Sequence, residues 1–95
     1  MNKCTFVKVP YAVKDYYFDW TDWLADGEAI ESFTIVADEG ITVDSSSSDG
    51  TKVTVYLSGG TAVNHYDVTC NIVTDAPTPR KESWTMDIYV KNTMP

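Results

Sequence analysis

The sequence predicts an all-β protein, an antiparallel β-sandwich of six to seven strands of the Ig or fibronectin type III kind. Three observations predict it. Apolar and polar residues alternate with period two along most of the chain. Turn residues interrupt that alternation every ten residues or so. Helical spacing is confined to one stretch, Trp20 to Ala25, where Gly27 follows too soon for more than a single turn.

The elements follow in order. Residues 3–9 have apolar character from Cys4, Phe6, Val7 and Val9, and Pro10 interrupts what comes next. They read either as a first strand or as an arm that pairs with a neighbouring subunit's sheet edge. Tyr16, Phe18 and Trp20 alternate with Asp15, Tyr17 and Asp19. Phe33 and Ile35 alternate with Ser32, Thr34 and Val36. Ile41 to Val43 reads as one short strand, after the turn Asp38-Glu39-Gly40 and before a polar loop over Ser45–Gly50. Val53, Val55 and Leu57 form one face of the next strand. Ser58-Gly59-Gly60-Thr61 then permits positive φ. Tyr66, Val68, Cys70 and Ile72 share a face, as do Trp84, Met86, Ile88 and Val90. Pro77 and Pro79 hold the connection between those last two strands outside the ladder. Tyr66 stands where a tyrosine corner would set its hydroxyl against the preceding loop.

Ninety-five residues fit one domain with a modest core. A net charge of −7 repels a polyanion, and only Arg80-Lys81 are adjacent cations, so nucleic acid is excluded as a partner. No apolar run has the length of a signal peptide or a membrane span, so the expectation is cytosolic synthesis without dedicated export. Cys4 and Cys70 are too few for a disulfide scaffold, and a bridge between them depends on how their strands are placed.

Chemistry is sparse. Asp19, Asp22, Asp26 and Glu28 crowd one turn, but their spacing is not that of an EF-hand, and Asp22 or Asp26 capping backbone amides is the plainer expectation. His65 is the sole histidine, and Ser45–Ser48 lack a nucleophile elbow. We therefore expect no enzyme, no catalytic residue, no cofactor and no metal. The tyrosines are more informative, since an exposed tyrosine buries a large area at low entropic cost. Tyr11, Tyr17, Tyr56 and Tyr89 fall at outward or loop positions, with Phe6, Val7 and Val9 in the N-terminal segment. Together these are the candidate interface residues.

The run Asp19-Trp20-Thr21-Asp22-Trp23-Leu24 with Ala25-Asp26-Gly27-Glu28 resembles a segment near the start of small tailed-phage and prophage virion proteins of the fiber–tail adaptor, Ig-like type. The resemblance continues through Gly40–Ser46, Val55–Ala62 and Tyr66–Cys70, and covers roughly residues 8–91. It departs at Ile35, where relatives often carry tryptophan. It implies a non-catalytic subunit of the virion tail or neck, assembled in the host cytoplasm. Such a subunit would act in multiple copies with other tail, neck or fiber proteins and touch neither nucleic acid nor membrane. The alternative is an Ig-like module that binds host-surface glycan or decorates the virion. The expected division is residues 1–13 as strand or arm, 14–91 as the sandwich, and 92–95 as a short tail.

Overall fold

The computed structural model of the chain describes residues 4–92. Residues 1–3 of the N-terminal segment and 93–95 of the tail lie outside the described residues. Seven strands form: β1 Cys4–Lys8, β2 Lys14–Asp19, β3 Ile30–Ala37, β4 Ile41–Ser48, β5 Lys52–Gly59, β6 Asn64–Thr74 and β7 Lys81–Val90. They make two sheets, ordered β1-β7-β6-β3 and β2-β5-β4. The second order is that of Ig strands B-E-D, and β3-β6-β7 is C-F-G. β1 lies parallel to β7, with Phe6 beside Ile88 and Lys8 beside Val90. The other pairings are antiparallel.

The predicted alternation sets the core. Tyr16, Phe18 and Trp20 meet Val53, Val55 and Leu57 from one sheet, and Val68, Cys70, Ile72, Met86 and Ile88 close over them from the other. Each fully buried aliphatic or aromatic side chain contributes about 1.5–3 kcal/mol. At one end of the sandwich Trp20 meets Trp23 and Trp84 edge to face, with centroids 5.5 and 5.4 Å away. The single helical turn is present: the Trp23 and Leu24 amides both donate to the Trp20 carbonyl. The corner is present as well, with the Tyr66 hydroxyl accepting from the Thr61 amide at 2.9 Å. Gly40 is required beside it, because a Cβ there would stand 2.8 Å from the Tyr66 ring.

Three expectations are corrected, and the open point of a Cys4–Cys70 bridge is answered. Ser45–Ser48 are not a loop: β4 runs on through them after a bulge between Val43 and Ser45, and the turn is only Asp49–Thr51. Serine carries no alternation signal, yet the backbone of β5 still pairs with it. Cys4 and Cys70 are not bridged. They lie on β1 and β6 with β7 between, and Cys4 is level with Val68 rather than Cys70, so they stand more than two strand spacings, about 9–10 Å, apart, beyond the reach of a disulfide. The acidic turn is capped by Asp19, which accepts from the Thr21 amide and hydroxyl, and by Glu28, which accepts from the Ala25 amide, rather than by Asp22 or Asp26. Phe6 points inward, its ring 5.3 Å from that of Tyr16, so it belongs to the core and leaves the exposed set.

Candidate functional site

One pole of the sandwich gathers the most exposed apolar side chains. It is built from the connection Val9–Val13, between β1 and β2, and from Gly59–Val63, between β5 and β6. Tyr11 is 97% exposed, Val63 68% and Val13 61%. Val9 is half-buried beside them. Tyr11 and Val9 are sequence candidates; Val13 and Val63 were missed. The signal for Val63 was its parity: counted back from Tyr66, it falls on the outward side.

The pole is stiffly held from beneath. Lys8 is wholly buried, and its ammonium donates to the Val9 carbonyl at 2.9 Å and the Gly59 carbonyl at 2.6 Å, tying both loops together. Burial lowers the Lys8 pKa; Asp44 opposes that shift and Lys14 adds to it. Tyr66 grips Thr61, and the Asn64 side-chain Nδ2 donates to the Thr61 and Ala62 carbonyls. Val63 sits at φ 61°, a costly conformation for a β-branched residue, with its amide donating to the Val90 carbonyl at 2.6 Å. A strained, exposed valine on a braced loop is preorganised for contact, because little freedom is left to lose on binding.

The outward faces carry the remaining candidates. On the β2-β5-β4 sheet, Tyr17 and Tyr56 are both exposed and lie diagonally across the pair Tyr17–Thr54 and Asp15–Tyr56. Asp15 beside Tyr17 pushes its phenol pKa up. On the opposite sheet Val7 and Tyr89 are paired neighbours, both half-buried. Tyr89 stacks on His65 with centroids 4.7 Å apart. His65 Nδ1 lies 2.8 Å from Asp87 Oδ2, which also accepts from Thr5 at 3.2 Å. Ser45–Ser48 belong to the other sheet, so that run brings no nucleophile to this histidine.

The far pole holds the acidic turn. Arg80 forks onto both Glu28 carboxylate oxygens, donates to the Trp23 carbonyl at 3.2 Å and stacks on the Trp23 ring at 4.1 Å. Arg80 and the Ala25 amide hold the Glu28 carboxyl down at about 2. Among the described residues no three carboxylate, histidine or cysteine side chains converge as metal ligands would. These contacts brace two loops 52 residues apart, a pairing that no local pattern announces.

The family model described as podophage GP4 fiber-tail adaptor protein gp77 matches residues 8–87. That span begins at the buried Lys8 and takes in both loops of the apolar pole. No curated protein matches the chain.

Proposed function

We propose, for a chain that belongs to the podophage GP4 fiber-tail adaptor protein gp77 family, that it joins tail or neck proteins to receptor-binding fibers through protein–protein contacts alone. It acts without catalysis, in several copies placed by the symmetry of the tail, and is assembled with its partners in the host cytoplasm. The observation that carries this reading is the braced pole of Tyr11, Val13 and Val63. Protein interfaces favour exposed tyrosine, and the two exposed valines beside it on a rigid support add apolar area whose burial is favourable. A small subunit repeated by symmetry reaches a large contact area that one copy cannot offer.

The test is a phage in which this gene is deleted, with its particles imaged by electron microscopy. The reading expects tails without fibers, and recovery of fibers when the gene is supplied in trans. Particles with a full complement of fibers would contradict it. A gene supplied as the Val63→Asp variant should restore fibers poorly, since a charge at the pole opposes burial.

A further inference from the structure

Among the described residues, strand β4 is paired on one side only, with β5. An unpaired strand edge is a template for another strand, and proteins normally blunt it with charge, proline or a bulge. Two of the other edges carry such devices. On β1 the Val7 carbonyl is taken by the Tyr16 hydroxyl at 3.3 Å and the Lys14 ammonium at 3.4 Å. β2 bears Lys14, Asp15 and Asp19. β3 has a bulge only at its start, between Ile30 and Ser32, and is the rival edge that a Thr34→Lys variant tests. β4 has its bulge before Ser45, and from there Ser45–Ser48 run as small uncharged residues in regular register against Tyr56, Val55, Thr54 and Val53.

The inner side of this stretch is open too. Ser46 and Ser48 pair with the buried Val55 and Val53 and so share their inward direction, yet both serines are exposed. β3 and β4 approach each other from the two sheets.

We propose that the outer edge of β4 at Ser45–Ser48 receives an extended segment of another protein as a fourth strand of the β2-β5-β4 sheet; this rests on the adaptor reading and names the surface it uses. The unpaired backbone specifies an extended partner. The open inner side at Ser46 and Ser48 admits an apolar side chain at alternate positions of the added strand. Charge decides between partners. Asp44 and Asp49 bracket the serines. A second copy pairing β4 antiparallel to β4 about Ser46 and Ser47 would set Asp44 against Asp49 twice, and like charges directly opposite destabilise a strand pair. The segment that fits is therefore from a different protein, with lysine or arginine flanking a short apolar centre.

The experiment is hydrogen exchange read by mass spectrometry on the full chain, alone and mixed with the tail and fiber proteins encoded beside its gene. Affinities are measured in parallel for Ser46→Lys and for Thr34→Lys on the β3 edge; both residues are exposed. The proposal expects at least tenfold slower exchange within Ser45–Ser48 in the complex. It also expects affinity at least tenfold weaker for Ser46→Lys and unchanged for Thr34→Lys. Should Ser46→Lys not fold, the exchange of the wild-type chain decides. A complex with exchange in Ser45–Ser48 unaltered overturns the edge proposal and leaves the adaptor reading standing. No complex with any of those proteins overturns both.

Discussion

The Lys8 ammonium donates to the Gly59 carbonyl at 2.6 Å, joining the end of β1 in one sheet to the end of β5 in the other. The side chain has no exposure, so the N-terminal strand is fastened to its own domain by a buried cation and two carbonyls. Replacing it by methionine keeps the stem and removes the donors. Lys8→Met should lose about 1–3 kcal/mol in urea denaturation, the cost of leaving buried acceptors unpaired. Because burial lowers the folded-state pKa below 10.5, the unfolded chain binds the proton more readily between the two values. Stability relative to Lys8→Met should thus rise with pH through that window.

The tyrosine corner makes a second prediction. Tyr66→Phe removes the acceptor for the Thr61 amide and loosens the loop that presents Val63. The expected loss is about 1–2 kcal/mol, a fall in Tm on the order of 4–8 °C per kcal/mol for a domain of this size. Binding through the pole should weaken by more than the stability loss explains, since Val63 loses its fixed position.

Acid should act through Glu28. Its folded-state pKa of about 2 lies below the ordinary 4.5, so its contribution is present above pH 4.5 and is lost as pH falls from there toward 2. The Tm measured across that window should drop more steeply for the wild type than for Glu28→Gln. Equal slopes would show that the Arg80 fork adds nothing to stability.

The two thiols should separate cleanly. Cys4 is exposed, whereas burial pushes the Cys70 thiol up to about 12. A maleimide at neutral pH should modify one thiol in the native protein, at Cys4, and the second only in denaturant. Rapid double labelling of the native chain would contradict the buried position of Cys70.

Much of this fold was legible because most inward positions of β5, β6 and β7 carry an apolar side chain, mostly beside polar outward neighbours. Tyr66 announced its corner by standing at the start of such a run. Three features were not legible, for physical reasons. The strand character of Ser45–Ser48 comes from backbone pairing with β5, and serine shows no preference between faces. Lys8 sits in phase with Cys4 and Phe6, but a lysine at an inward position reads as surface until the two carbonyls that satisfy it are seen. Arg80, Glu28 and Trp23 meet only through the tertiary fold. Of the candidate interface, Tyr11, Tyr17 and Tyr56 are exposed as read, and Tyr89 and Val7 are outward but half-covered. Phe6 was misassigned because the register of a parallel edge strand has no mark in the residues themselves.

The central claim is that this chain works by binding other tail and fiber proteins. Its most direct test is the native mass of the purified protein, alone and mixed with the tail and fiber proteins encoded beside it. The account predicts a stable complex of fixed stoichiometry that weakens when Val63 or Tyr11 is replaced by aspartate. A chain that stays monomeric and ignores every one of those proteins would contradict it.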